Sequence, residues 1–327
     1  MCKIAIDMEG SDYGATNFIQ GIKEYLKEDN KTIFVLFGRK EDFKELEGNP
    51  QIEIVDCPDI VPMETDVLKF LRMKNSSMYK AIESVKNGEC QGLVTAGSTA
   101  GFLTGNTLML KNIEGVKRAG FCSPFPTAVK GKSTCILDIG ASNINTSEEL
   151  VCFSKLGKIY SELILETKNP TISLLSNGAE EGKGLEESKQ AYKVLKEDKT
   201  INFIGNVEAR EALDGTHDVI VTSGYPGNIF LKATEGTALM MNGMIKKAFK
   251  RNLISKIGYL FAKKGFAEMK QTMDYRKTGG AILLGINGVA VKTHGNSDVK
   301  FIYYSIKLAK KMIDVKIVDE IKKEFSK

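Results

Sequence analysis

Eight short apolar runs, each closed by a glycine or polar loop and most of them followed by a helical pattern, constrain this chain more than any other feature. They are KIAID (3–7), TIFVLFG (32–38), IEIV (52–55), GLVTAG (92–97), TCILDIG (134–140), TISLLSNG (171–178), INFIGN (201–206) and DVIVTSG (218–224). The stretches between them are amphipathic. In NFIQGIKEYLKED, Phe18, Ile19, Ile22, Tyr25 and Leu26 share a helical face, and in SSMYKAIESVKNG so do Met78, Ala81, Ile82 and Val85. This alternation predicts an α/β fold around a mostly parallel sheet, built as one domain over 1–327 and closed by a C-terminal helix from about Ser297. At 42% hydrophobic and 27% charged, the chain can bury a large core.

Parallel sheets bind ligands in the crevice at the carboxyl ends of their strands. The loops there are DMEGSD (7–12), TAGSTAG (95–101), DIGASN (138–143), SNGAEEGKG (176–184), GNVEAR (205–210) and SGYPGN (223–228). Glycines let backbone N–H groups approach a ligand, and a helix start adds the positive end of its dipole. Any α/β sheet needs glycine at such turns. Six of these loops on one edge nevertheless predict an anion as guest.

Other chemistries lack their residues. SNGAEEGKG departs from a P-loop, because Gly178 and Gly182 enclose three residues and Gly184 follows Lys183 where Ser or Thr is required. No G-x-G-x-x-G follows an apolar run, and no G-x-S-x-G is present. His217 and His294 are the sole histidines, and the six cysteines are scattered without a C-x-x-C pair, so neither a metal site nor a disulfide framework is expected. No apolar run is long enough to span a bilayer, and the N-terminus does not read as a secretion signal, which predicts a cytoplasmic protein. The net charge of +5 is too small to favour nucleic acid.

Read together, these loops resemble those of the PlsX family of bacterial phosphate acyltransferases, nearly end to end. The resemblance rests on IAID with Asp12, KNSSM (74–78), AG-x-T (96–99), LDIGA (137–141), EEGKG (180–184), INFIGNVEAR (201–210), GYPGN with the following LK and EG (224–236), GGA (279–281) and HGNSD (294–298). It implies a three-layer Rossmann-like fold of the isocitrate dehydrogenase/phosphate acetyltransferase kind. The implied reaction converts acyl-[acyl carrier protein] and inorganic phosphate to acyl phosphate for phospholipid synthesis, without a metal or cofactor, in a homodimer. Lys183 and Asn228 are the implied catalytic pair, with Asp7, Gly97, Ser98, Thr99, Asp138, Gly140, Gly224, Gly227 and His294 lining the substrates.

The physics of that reaction suits the residues present. Phosphate is already largely dianionic near neutral pH and needs no general base to attack a thioester. It does need a preorganised positive cradle. Lys183 would hold it as a point charge, while Asn228 and nearby N–H groups would orient it or stabilise the carbonyl oxyanion. Without the resemblance, Lys183 reads as a solvated lysine at a helix start and Asn228 as a helix N-cap, a place that also allows it to face a ligand. His294 reads as site wall, with Ser297 capping the final helix beside it.

Several loop positions depart from the family pattern. Ser98, Ser142, Ser176 and Leu185 stand where Asn is expected, and Ile144 and Ser223 where Asp is expected. Glu9 and Ser11 interrupt the usual glycine-rich opening loop. Serine keeps a donor, whereas Ile144 and Leu185 have none. Two further readings follow: an acyl-binding paralogue with altered catalysis, and a phosphate acetyltransferase-like enzyme using a coenzyme A thioester.

The segment 245–277 holds ten Lys or Arg against two acids. Leu253, Ile254, Ile257, Leu260 and Phe261 follow helical spacing among Arg251, Lys256, Lys263 and Lys264. Such a helical excursion, over 240–278, faces either an anionic membrane surface, as a peripheral contact on the inner face of the plasma membrane, or the acidic acyl carrier protein. A core-packing helix with a solvated basic face accounts for the pattern equally well.

Overall fold

The computed structural model describes residues 2–272 and 274–326, without the side chains of Lys270 and Tyr275. Eleven strands form one sheet: β1 (Lys3–Asp7), β2 (Ile33–Gly38), β3 (Ile52–Asp56), β4 (Gly92–Thr95), β5 (Gly120–Pro126), β6 (Ser133–Leu137), β7 (Ile172–Ser176), β8 (Phe203–Glu208), β9 (Val219–Val221), β10 (Ala281–Leu284) and β11 (Val289–Lys292). Their order is β3-β2-β1-β4-β11-β10-β5-β6-β9-β7-β8. The helices are α1 (Thr16–Leu26), α2 (Val67–Arg72), α3 (Ser77–Lys86), α4 (Thr99–Gly105), α5 (Ser147–Leu163), α6 (Glu186–Glu197), α7 (Gly224–Lys250), α8 (Leu253–Thr272), α9 (Val299–Asp314) and α10 (Ile317–Phe325).

Strand alternation sorts the core into two layers. Ile4 and Ile6 of β1 belong to one buried layer with Phe18 and Ile22 of α1, Phe153 of α5, Leu195 of α6 and Ile302 of α9. Ala5, between them, joins Met78 and Ile82 of α3 and Phe102 of α4 on the opposite face. The expected α/β architecture with helices on both faces is present.

Three pairings are antiparallel, β11 with β10, β10 with β5, and β5 with β6; the others are parallel. Three reversals between β11 and β6 turn one half of the sheet against the other. The carboxyl ends of β1, β4 and β11 therefore lie on one edge, and those of β6, β7, β8 and β9 on the opposite edge. This corrects the expectation that six strand-end loops share one edge.

The C-terminal region also differs from the expectation. Asp298, not Ser297, caps α9, accepting from the Phe301 N–H at 2.8 Å. The Ser297 hydroxyl is buried and has no hydrogen-bond partner among the described residues. The single expected helix is two, separated at Lys316, whose φ of 52° breaks the helical run.

Candidate active site

The GYPGN segment is not a loop. The first i to i−4 bond of α7 runs from the Gly227 N–H to the Ser223 carbonyl, so Ser223 occupies the N-cap and Asn228 sits in the second turn. The N-cap expected at Asn228 is thereby corrected. Pro226 lies in the first turn, where a missing N–H costs no intrahelical bond.

The glycines let this helix start press onto the loop after β6. A Cβ on Gly224 would overlap the Ser142 carbonyl oxygen, and one on Gly227 the Asp138 carbonyl oxygen. Opposite them, Gly140 (φ 129°) leaves room for Asn228, whose Nδ2 would lie 2.6 Å from a Cβ there. Asn228 Nδ2 donates to the Ile139 carbonyl at 3.1 Å. Its side chain is fixed against the loop while one amide proton and Oδ1 remain for other partners.

Asp138 organises that loop and does not act as an open ligand. Its carboxylate accepts from the N–H groups of Phe121 (3.0 Å), Gly140 (3.0 Å), Ala141 (2.8 Å) and Ser142 (2.9 Å), and from Ser142 Oγ (2.8 Å). Burial pushes its pKa up against these bonds. The N–H groups of Gly224 and Tyr225 are taken by Asn145 Oδ1 (3.1 Å) and the Asn143 carbonyl (3.3 Å). Hence the nearby N–H groups expected to cradle an anion are already committed, and side chains must supply the contacts.

Lys183 stands on the same sheet edge, in the loop after β7, because β7 pairs directly with β9. Its stem crosses Gly178, where a Cβ would come within 2.9 Å of Lys183 Cγ. The residue is exposed, and among the described residues no carboxylate forms an ion pair with its ammonium. Among the described residues no hydrogen bond joins Lys183 to Asn228.

The other candidates gather on the opposite edge. Asp7 is buried and accepts from Thr95 Oγ1 at 2.6 Å and from the Glu9 N–H at 3.3 Å. The Gly97 N–H donates to Thr95 Oγ1 at 2.9 Å. Ser98 caps α4 through the Gly101 N–H (3.2 Å) and donates to the Met63 carbonyl (2.9 Å), so its hydroxyl is structural. Thr99 is exposed at the first turn of α4. His294 Nε2 lies 3.4 Å from Glu235 Oε1 of α7. That contact, followed by Lys232, holds the Glu235 carboxyl below its usual range.

This last pair connects the two edges. Asn228 and Glu235 are seven residues apart, two turns on one face of α7 and about 10 Å along its axis. One helix face thus runs from the loop after β6 to the loop after β11, so α7 bridges the two loop sets. Glu235 was not singled out as functional from sequence. Nor was Lys292, which ends β11 as a buried lysine in an otherwise apolar strand. The signal for it was its position in the VAVK alternation immediately before the His-Gly loop.

Burial pushes Asp7 up to about 6, against hydrogen bonds from the Ser77 and Thr95 side chains and the Glu9 N–H. A raised carboxyl favours folding in its protonated form, so this contribution is full below about pH 4 and is lost as pH rises through 6. Wild type should lose about 3 kcal/mol between pH 4 and 7 that Asp7→Asn does not lose, since two pKa units carry roughly that energy. Urea unfolding of both proteins across that range measures it; parallel curves would contradict it.

The departures from the family pattern have local consequences. Glu9 points back to the β2 end, accepting from the Arg39 N–H at 3.1 Å. Ile144 is 78% and Leu185 65% exposed. Leu185 occupies the N-cap of α6 with cap-like φ −70° and ψ 163° and no side-chain bond. Leu185→Asn should therefore stabilise the protein by about 1 kcal/mol. An unchanged denaturation midpoint would show that the cap is already satisfied.

Known proteins resemble this chain in sequence and in fold. The pattern of a family described as "Fatty acid synthesis protein" matches residues 2–320. A protein of Mycoplasma capricolum subsp. capricolum named phosphate acyltransferase is 39% identical over 328 residues, covering 99% of this chain and 98% of its own. Another of that name, from Clostridium botulinum, is 39% identical over 333 residues and covers 99% of both. Among solved structures, a phosphotransacetylase from Streptococcus pyogenes superposes with a TM-score of 0.61 at 17% identity, over 96% of this chain and 94% of its own. A branched-chain phosphotransacylase from Enterococcus faecalis gives 0.58 at 15% identity, over 96% and 100%. At such identity the structures speak for the fold alone, whereas the full-length sequence matches carry the family. The chain belongs to the fatty acid synthesis protein family, among relatives named phosphate acyltransferase.

Proposed function

We propose that this protein transfers an acyl group from acyl carrier protein to inorganic phosphate, making acyl phosphate for phospholipid synthesis. The observation that carries the reading is the shared face of α7, which holds Asn228 against the loop after β6 and, two turns on, Glu235 against His294 of the loop after β11. A phosphate oxygen attacks the thioester carbonyl, the carbon–sulfur bond breaks, and the carrier leaves as a thiolate that takes a proton from solvent. Lys183, exposed and without an ion-pair partner, draws in the phosphate; Asn228 donates to the oxyanion on the carbonyl. Both substrates are anionic or acidic, which suits the unpaired lysines.

The test is to incubate acyl-[acyl carrier protein] with the protein, with and without phosphate, and to trap the product with hydroxylamine. Phosphate-dependent hydroxamate is expected. Acyl binding with no hydroxamate above a protein-free control would favour the altered paralogue, a reading to which the exposed Ile144 and Leu185 lend some weight.

The α7–α8 excursion supplies surfaces for two further associations. Phe249 packs on Tyr259 and Phe266, with ring centroids 5.4 and 4.9 Å apart, which holds α8 against the far end of α7. Outward, α8 exposes Leu253, Ile254, Ile257, Leu260 and Phe261, the last at 88%. No helix among the described residues is long and apolar enough to cross a membrane. Apolar exposure flanked by Arg251, Lys256, Lys263 and Lys264 fits the surface of an anionic bilayer. The exposed Leu239, Met240, Met241 and Met244 of α7 suit a second copy of the chain. The protein should sediment with anionic vesicles, be released by salt, and lose binding when Leu260 and Phe261 become glutamate. Equal recovery on neutral vesicles would reject the lipid role and leave α8 to the acidic carrier protein.

A further inference from the structure

Asp7, Thr95 and Lys292 form a row across three adjacent strands. Asp7 is in register with Thr95, and Thr95 with Lys292. By alternation all three follow Ala5, Leu93 and Ala290 onto the α3–α4 face of the sheet. Lys292 is buried, 9% exposed. Its ammonium donates to the Thr293 carbonyl and, at 3.4 Å, to the Ala96 carbonyl. These two contacts tie the loop after β11 to the loop after β4. An ammonium has three donors, and the third finds no partner among the described residues. Among the described residues no carboxylate is within ion-pair distance either; Asp7 and Asp12 face the ammonium from farther off. A buried ammonium with no carboxylate in direct contact is costly, and an anion bonded to its third N–H offsets that cost.

We propose that Lys292 is an anion-binding residue between the loops after β4 and β11, whose free N–H meets a phosphate-type oxyanion of a substrate. That oxyanion is either inorganic phosphate itself or the phosphodiester on the arm of the thioester donor. The proposal rests on the acyltransfer reading given above. It gives the β1–β4–β11 edge a cation of its own, opposite Lys183, where the N–H groups around Asp138 are already occupied.

The groups that face Lys292 set its response to pH. Asp7 approaches from β1 and Asp12 from the following loop, and both favour the ammonium, but burial outweighs them and lowers its pKa to about 8. His294, on the same loop, is engaged by Glu235 of α7. An oxyanion bonded to the ammonium would stabilise the charged form and raise that midpoint.

Nuclear magnetic resonance of protein carrying isotope-labelled lysine reads this directly, with the Lys292 signal assigned by its loss in Lys292→Met or Lys292→Arg. Titrations are run without ligand, with inorganic phosphate, and with the thioester donor. The expected result is a rise of about one unit with one of the two ligands, equivalent to tenfold tighter binding to the ammonium form. No movement with either ligand overturns the proposal. In kinetics, Lys292→Met should raise KM for that same ligand about tenfold while kcat changes less, and Lys292→Arg should restore much of it. Unchanged KM values for both substrates in the methionine variant would overturn the proposal while leaving the acyltransfer reading intact. If wild type forms no acyl phosphate and the midpoint still moves with phosphate, the anion site stands and the reaction assignment fails. Should the methionine variant not fold, the wild-type titration decides alone.

Discussion

Asn228→Ala is expected to lower turnover by about 10² to 10³, the loss seen when one oriented donor is removed from an acyl-transfer oxyanion site. The side chain is already immobilised by its bond to the Ile139 carbonyl and its seat on Gly140, so its remaining amide proton is presented without further ordering. The loss should fall on kcat, since the oxyanion exists only as the carbonyl is attacked. Lys183→Met should behave differently. It removes a contact to phosphate made before reaction, so the phosphate KM rises while kcat is largely kept. Steady-state rates across a phosphate series separate the two. Wild-type kinetics in both variants would place the reaction on other loops.

Gly227→Ala should be as damaging through a different route. The added Cβ would overlap the Asp138 carbonyl oxygen, a backbone atom that cannot rotate aside, so α7 must lift from the loop after β6. Overpacking of this kind costs about 1–3 kcal/mol and more where backbone meets backbone. We expect a loss of about 3 kcal/mol or more in urea unfolding, together with loss of activity as Asn228 leaves Gly140. Gly236→Ala is the control. It lies in the same helix with open space around it, and alanine there should add about 0.5–1 kcal/mol of helix stability. Equal stability of the two variants would refute the close docking of α7.

Much of the architecture was legible because apolar alternation is a local property. The eight apolar runs named from sequence all became strands. The three strands not read were β5, β10 and β11. Pro124 and Pro126 interrupt β5, and Gly285 and Gly288 break the β10–β11 hairpin, so none presents a clean run. These same strands carry the antiparallel pairings, and missing them placed all six loops on one edge. Pairing direction depends on long-range partners that no single segment encodes.

The candidate site was legible in residue type and less so in role. Glycine and proline made 224–228 look like a loop, although Pro226 is compatible with a first helical turn and the glycines serve close approach to the Asp138 loop. Asp138 and Ser98 looked like open polar ligands; tertiary hydrogen bonds commit both to structure. Lys292 escaped notice because lysine at a strand end ordinarily faces solvent, and only the sheet register reveals that it shares a buried row with Asp7 and Thr95.

The most direct measurement is a crystal structure of the protein with inorganic phosphate and a non-reactive thioester analogue. Phosphate is expected within reach of Lys183 Nζ, the thioester carbonyl facing Asn228 Nδ2, and both ligands along the α7 face between Gly140 and His294. Phosphate or thioester bound away from that face, with Asn228 touching neither, would contradict this placement.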